Sequence, residues 1–336
     1  MPKRSIVVLA GGFSPERNVS LAGAANIAAQ LRHGSRSAVV VDLSCGELSR
    51  EQEAGWLAGP IPDAPNSEKL AALERATDVF ALLQSPALRQ AEVVFPILHG
   101  AFGEDGRLQA LLEAAGRPYV GSDYLGQALA MNKHVAKQLF AQNGVPTPAW
   151  SRILRGDTPP VPAAYPQVIK PANAGSSLGV SICDKAADFP GALARAFAYD
   201  REVLIEQFIP GREFTVGVLG ERVLAVGEIR AGGAFDYQAK YRGTTTREIF
   251  PADLPAPLVA RAGELARLVV EALRLRHYCR IDFILGPGDE LFILEANAAP
   301  GMTQKSLYPQ SAQAAGLSFP AVCEELCAMA IRDARR

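Results

Sequence analysis

Ser5–Ala10 is a short, largely apolar strand that stops at Gly11-Gly12 and leads into an Ala-rich helical segment from about Val19 to Leu31. Two more strands, Ala38–Asp42 and Glu92–Leu98, follow it. Strand, helix, strand is the rhythm of a parallel sheet, because parallel neighbours need a crossover that a helix supplies. The stretch between, about residues 45–90, is polar and Pro-containing, with helical pieces such as Glu68–Ala76. No chemistry is legible there, and it reads as scaffold or insertion.

Beyond it the periodicity changes. Residues Ser122 to Asn143 form one helical pattern, with Leu125, Leu129, Val135, Leu139 and Phe140 on its apolar face, stopped by Pro146 and Pro148. Strands are expected at Val168–Lys170, Val180–Cys183, Val203–Phe208, Phe214–Leu219 and Arg222–Glu228, with a helix near Phe189–Ala198. A long helix over Pro255–Leu275 precedes two strands, Cys279–Leu285 and Leu291–Asn297, joined by Gly286-Pro-Gly-Asp-Glu290, a strong hairpin signal. A last helix covers Phe319–Asp333. The fold class is α/β, turning α+β in the central part, in three regions: 1–125, 126–210 and 211–336.

Several classes of function are set aside by charge and hydropathy. Lys and Arg number 34 and Asp and Glu 35, a formal net charge of −1, which leaves no basic footprint for nucleic acid or anionic lipid. No apolar run approaches the roughly 18–20 residues of a membrane span, and Met1-Pro-Lys-Arg with its short apolar follow-on does not read as a signal peptide. Cys45, Cys183, Cys279, Cys323 and Cys327 lack CxxC spacing, and Cys323 and Cys327 read as two small core residues of one helix. A reducing cytoplasm is the expected compartment.

Four stretches carry candidate chemistry. On the final hairpin Arg280, Asp282 and Ile284 alternate on one face, and Ile293, Glu295 and Asn297 are expected to share a face of the partner strand. Two carboxylates and an amide oxygen make an all-oxygen site suited to Mg²⁺, which draws its other ligands from water and phosphate; a solvent-facing polar strip is the alternative. Glu295 is the only charge between Leu291 and Thr303, which speaks against an exposed face, and Gly301 offers a backbone amide with no Cβ in the way. Lys170-Pro-Ala-Asn-Ala-Gly-Ser-Ser-Leu-Gly179 is a small-residue loop able to fold over phosphates. It contains Gly175-Ser-Ser-Leu-Gly179, a G-x-S-x-G match that makes Ser177 a rival hydrolase nucleophile, though such an elbow needs a helix after it and a strand is expected instead. Phe235-Asp-Tyr-Gln-Ala-Lys-Tyr241 reads as a lid or as an exposed aromatic loop. Gly11–Ser20 sits at the carboxyl end of the first parallel strand, where open α/β sheets bind ligands, and Glu16 would there meet a substrate amine; a helix cap is the plainer reading. Of the histidines only His99, in His-Gly-Ala-Phe-Gly-Glu-Asp-Gly, stands at a strand end among glycines.

In chain order these segments, with Met131-Asn-Lys, Ile169-Lys-Pro-Ala-Asn-Ala-Gly-Ser-Ser-Leu-Gly, Val203-Leu-Ile-Glu-Gln-Phe, Glu213-Phe-Thr-Val, Tyr237-Gln-Ala-Lys-Tyr, Arg280-Ile-Asp-Phe and Leu294-Glu-Ala-Asn-Ala-Ala-Pro-Gly-Met-Thr, resemble the D-alanine–D-alanine ligases of the ATP-grasp superfamily. The resemblance implies an ATP-grasp fold behind an N-terminal substrate domain, and ATP-dependent synthesis of D-alanyl-D-alanine for peptidoglycan through a D-alanyl phosphate. It implies that Lys133 and Lys170 contact ATP's α and β phosphates, that Glu206, Gln207, Phe208 and Ile209 meet the adenine and Glu213 the ribose, and that Lys240 reaches the γ phosphate. Asp282, Glu295 and Asn297 would bind Mg²⁺ (Mn²⁺ as a substitute, two ions expected).

Glu16, Val19, His99 and Tyr237 would surround the first D-alanine, and Ser306 and Leu307 the carboxylate of the second. Arg280 and Gly301 would stabilise the oxyanion, and Ser176, Tyr241 and Glu16 would close the lid. A homodimer is implied as well. Asn18, Ala298 and Lys305 depart from the family's usual residues, and Lys305 adjoins the second-substrate site, so D-serine is the nearest alternative acceptor. A non-catalytic nucleotide-binding relative would need a lost site residue, yet Lys170, Lys240, Arg280, Asp282 and Glu295 are all present.

Overall fold

A computed structural model describes residues 5–160, 162, 164–230 and 247–335. Its first sheet is built on β1 (Ile6–Ala10), every residue of which is fully buried. β2 (Ala38–Asp42) and β4 (Val93–Pro96) flank β1 in parallel, and β3 (Gly46–Glu47) adds a short antiparallel edge, giving the order β3-β2-β1-β4. The crossover helix Arg17–His33 lays Ala24, Ala25, Ile27 and Ala28 on the sheet without exposure. Its entry turn needs glycine: Gly11 and Gly12 both have φ of +87°, and a Cβ on Gly11 would lie 2.6 Å from Arg17 and Asp42, which form a buried ion pair beneath it.

The second sheet is antiparallel, in the order β5 (Trp150–Leu154), β8 (Glu202–Gln207), β6 (Gln167–Pro171), β7 (Ser181–Cys183). One face packs Ile153, Ile169, Val203 and Ile205 under the helix Phe189–Phe197. By alternation the other face presents Val168, Lys170 and Glu206 to a cleft. The third sheet, also antiparallel, runs β11 (Arg247–Ile249), β10 (Arg222–Arg230), β9 (Arg212–Leu219), β12 (Tyr278–Leu285), β13 (Leu291–Asn297). Its Phe214, Val216, Ile281 and Phe283 face the helix Ala256–Ala272.

Several sequence expectations are corrected. Residues 122–143 form two helices, Tyr124–Met131 and Lys133–Gln142, because Asn132 leaves the helical region (ψ 99°) and its Oδ1 caps the second by accepting from the Val135 amide at 3.0 Å. Strands β3, β5 and β11 were not expected, being short or polar, nor was the helix Leu307–Ala314. On β13 Ile293 does not share a face with Glu295. The register slips between Asp282 and Phe283, so Asp282 pairs with Glu295 but Phe283 with Ile293. That bulge makes Leu294 the extra residue, turning Ile293 into the core and Leu294 toward the cleft.

The helix Phe319–Asp333 returns to the first layer, where Val322, Cys323, Leu326, Cys327 and Ala330 join the core around Ile6 and Val8. Cys323 and Cys327 are fully buried there as small core residues. No single helix among the described residues is long and apolar enough to cross a membrane. The pair that passes when counted together, Leu307–Ala314 and Phe319–Asp333, is bent by 102°.

Tyr278 and Tyr308 stack edge to face in this core, 5.5 Å between ring centres. The Tyr308 hydroxyl donates to the Val218 carbonyl at 3.2 Å, whereas the Tyr278 hydroxyl has no hydrogen-bond partner among the described residues. Tyr308→Phe is therefore expected to cost about 1 kcal/mol of stability, and Tyr278→Phe nothing or a slight gain, as read from denaturant midpoints.

Candidate active site

Two cavities meet where the three sheets converge. The first, about 720 Å³, lies between the second and third sheets, a volume in the range of small-molecule sites. Lys170 and Glu206 form part of one wall, and the chain leaving β8 adds Gln207, Phe208 and Ile209. The facing wall comes from Glu213, Arg280, Asp282, Leu294 and Glu295. The second cavity, about 1160 Å³, is bordered by Glu16, Val19, His99, Asn297, Gly301 and Ser306. Ser176, Arg280, Glu295 and Leu307 line both, so the two are one continuous site with a shared wall.

Charge at that wall is balanced residue by residue. Arg280 grips Asp282 with two parallel bonds, Nε to Oδ1 at 2.9 Å and Nη2 to Oδ2 at 2.7 Å, while the Thr215 hydroxyl donates to Oδ1 at 2.6 Å. Residues 280 and 282 share a strand face, which is why one fork spans both. Lys133 opens the helix Lys133–Gln142; its ammonium donates to the Ala174 carbonyl at 2.7 Å and lies 3.1 Å from Glu295 Oε2. The Lys170 ammonium lies 2.9 Å from Glu206 Oε1.

The loop after β6 turns through the left-handed region at Ser176 (φ 52°) and Ser177 (φ 56°). The Ser176 hydroxyl donates to Glu16 Oε1, tying the second sheet's loop to the first helix. Ser177 is followed by β7 rather than a helix, so the hydrolase elbow lacks its required context. His99 follows the loop after β4 and is 6% exposed, with Nδ1 3.4 Å from Glu104 Oε1; Glu104 Oε2 also accepts from the Gly100 amide at 2.7 Å. At Gly301 a Cβ would approach the Ser306 hydroxyl to 2.9 Å, so only glycine fits beside that serine without displacing it. Ser306 precedes the helix Leu307–Ala314, and its hydroxyl accepts from the Thr303 amide at 3.1 Å.

Asp282 and Glu295 are direct cross-strand partners, and Asn297 pairs with Arg280 beyond them; Asn297 Oδ1 accepts from the Ala299 amide at 3.0 Å. Among the described residues no three His, Cys, Asp or Glu side chains cluster as a metal site. Asp282 in the first cavity, Glu295 on the shared wall and Asn297 in the second are oxygen donors that suit a hard ion taking its remaining ligands from phosphate, not a soft one held by thiolate or imidazole. Tyr237, Lys240 and Tyr241 lie outside the described residues.

Three contributors were missed by sequence reasoning. Residues 56, 57 and 59–64, read as scaffold, border the second cavity, and Asn18 Nδ2 donates to the Asp63 carbonyl at 2.7 Å. No periodicity marks that stretch; its only signal is the Gly59-Pro-Ile-Pro turn chemistry. Glu104 stood inside the quoted His99 motif five residues on, a spacing that a search for a histidine's partner would have caught. Lys137, fully buried beside Glu206, resembled any helix lysine.

The D-ala D-ala ligase N-terminus family matches residues 5–122, and the D-ala D-ala ligase C-terminus family matches residues 139–328. A D-alanine--D-alanine ligase of Acidiphilium cryptum is 39% identical over 325 residues, covering 95% of this chain and 96% of that protein. One from Oleidesulfovibrio alaskensis is 41% identical over 323 residues, 94% of this chain and 92% of that protein. Among solved structures, the D-alanine-D-alanine ligase of Coxiella burnetii superposes with a TM-score of 0.80 at 25% identity, covering 100% of this chain and 96% of that one. The Bacillus anthracis enzyme complexed with ATP gives 0.76 at 26% identity, with 99% of each chain covered. The two family matches together span most of the sequence, and the mixed α/β architecture is the ATP-grasp fold those neighbours share. The chain belongs to the D-alanine–D-alanine ligase family.

Proposed function

We propose that this chain is an ATP-dependent ligase that joins two D-alanines into D-alanyl-D-alanine for peptidoglycan synthesis. The observation that carries the reading is the shared wall: Arg280, Glu295 and Ser176 border a nucleotide-sized cleft on one side and the Glu16–His99–Gly301 cavity on the other. A phosphoryl donor in the first and an amino-acid carboxylate in the second would meet there. The relative solved with ATP supports a nucleotide in the first cavity.

In this reading Lys133 and Lys170 turn from their carboxylate partners to the α and β phosphates, and the Glu206–Ile209 edge takes the adenine. Glu213 takes the ribose and Lys240 the γ phosphate. Asp282, Glu295 and Asn297 would hold Mg²⁺, or Mn²⁺ in its place, with two ions expected; when bound, it neutralises charge on the terminal phosphates. Glu16, Val19, His99 and Tyr237 orient the first D-alanine. Its carboxylate oxygen takes the γ-phosphoryl group, ADP is released, and D-alanyl phosphate forms.

The second D-alanine, its carboxylate at Ser306 and Leu307, attacks the acyl carbon with its neutral amine. The amine gives up a proton and inorganic phosphate leaves. The planar Arg280 fork and the Gly301 amide stabilise the oxyanion. Ser176, Tyr241 and Glu16 close over an intermediate that water would otherwise hydrolyse. The division into a substrate domain, 1–125, and ATP-grasp parts, 126–210 and 211–336, belongs to the same proposal. So do a cytoplasmic location, in keeping with five free cysteines, and a homodimer.

Phosphate release is expected only with ATP, Mg²⁺ and D-alanine together; equal release with L-alanine would defeat the stereochemical claim. Mass spectrometry with D-serine offered beside D-alanine is expected to return D-alanyl-D-alanine as the main product. Arg280→Lys is expected to lower turnover by roughly 10²–10³, since a point charge cannot reproduce the fork; near-normal turnover would remove Arg280 from its role. Asn18→Ala, which cuts the tie to Asp63, is expected to raise the KM for D-alanine several-fold while leaving the KM for ATP in place. Unchanged D-alanine kinetics would detach residues 59–64 from substrate binding.

A further inference from the structure

Lys137 is fully buried, an unusual place for an ammonium, and no step of the mechanism uses it. It lies one helical turn beyond Lys133 and points under the first cavity rather than into it: its side chain has no exposure and Lys137 is not among the lining residues. Three oxygens surround its Nζ: the Thr147 hydroxyl at 2.5 Å, the Pro148 carbonyl at 3.0 Å and Glu206 Oε1 at 3.2 Å. The Thr147 hydroxyl spends its own proton on the Ile293 carbonyl at 2.8 Å, so toward Lys137 it can only accept. Two of these contacts are hydrogen bonds donated by the ammonium and the third is an ion pair, so three oxygens hold the group in place. The Trp150 ring lies 5.3 Å away and favours the cation further.

Glu206 Oε1 is shared: Lys170 approaches it to 2.9 Å and Lys137 to 3.2 Å, as ion pairs rather than aligned hydrogen bonds. The two lysines differ in what they can do next. Lys170 borders the cleft and can follow a phosphate; Lys137 is locked. We infer that Lys137 is a positioning residue for the purine: it holds the Glu206 carboxylate in place once Lys170 has left for the phosphates, so that the carboxylate meets a 6-amino purine in preference to a 6-oxo one. This rests on the reading of the first cavity as the ATP site and adds to it the origin of the base preference. A carboxylate free to swing aside would no longer oppose a carbonyl in place of the amine. Burial pulls the Lys137 ammonium down to about 8, with Lys170 pushing the same way and Glu206 opposing. These two are the charged groups that face it, and its ion pair with Glu206 is lost above that pH.

The test is Lys137→Met, which keeps the length and removes the charge. The KM for ATP is expected to rise by about ten-fold and the GTP-to-ATP ratio of kcat/KM to rise by a similar factor, with the KM for D-alanine unchanged. Glu206→Gln is expected to relax the ratio likewise, and adding Lys137→Met to it to change little further.

A folded Lys137→Met with unaltered ATP kinetics and base preference overturns the inference. If that variant does not fold, Lys137→Gln is read in its place, and unaltered ATP kinetics and base preference in a folded Lys137→Gln overturn the inference. A natural chain that binds no adenine nucleotide at all overturns the ATP-site reading; one that binds ADP and is matched by Lys137→Met overturns only the role given to Lys137.

Discussion

The pairing of β12 with β13 is the contact on which the site depends. Antiparallel register sets Asp282 opposite Glu295 and Arg280 opposite Asn297, so four polar groups reach one face from two adjacent strands. The other face of the same pair is core, with Ile281, Phe283 and Ile293 under the helix Ala256–Ala272. A slip of one residue would exchange the two faces, burying charges and exposing the core, so the hydrophobic pattern itself guards the register. The bulge at Leu294 reconciles the two demands, since it lets Ile293 reach the core without displacing Glu295 from the cleft.

Around that pair the protein has assembled more buried charge than stability alone would favour, because a desolvated ion pair is seldom better than apolar packing. Arg280 with Asp282 and Lys133 with Glu295 cancel in pairs, while Lys170 and Lys137 share the single carboxylate of Glu206. Such pairing preorganises cations beside the cleft before a polyanion arrives. In the proposed reading a triphosphate would exchange partners with groups that are already dehydrated and aimed, which lowers the reorganisation needed for transfer. The Ser176–Glu16 bond does the corresponding work between layers, linking a left-handed loop of the second sheet to the entry of the first helix.

Legibility in the sequence followed physical range. The parallel start, the central antiparallel strands and the final hairpin were readable because each obeys a local period, and helix Phe319–Asp333 was readable to the residue. The family's motifs then pointed to Glu16, Lys133, Lys170, Glu206, Asp282 and Glu295, all of which border the joined cavities. What escaped was set by contacts distant in sequence or by a single backbone departure. The break at Asn132 is one residue's ψ; the turn of Ile293 is one residue's bulge. The role of residues 56–64 depends on where a stretch with no period lies against Asn18, and the burial of Lys137 on a sheet packed across it.

The first layer's core is not made of the first part of the chain alone. Ile6, Val8 and Phe95 pack with Tyr278, Met302, Tyr308 and, from the final helix, Val322, Cys323 and Leu326. During synthesis the leading strands emerge long before these partners exist, and closing that core waits on residues more than 300 positions downstream. Until then Val8 and Phe95 are greasy surface on a growing polypeptide. The fold thus makes a chaperone's protection most useful at the ribosome, and makes the last helix the piece that locks the nascent enzyme shut.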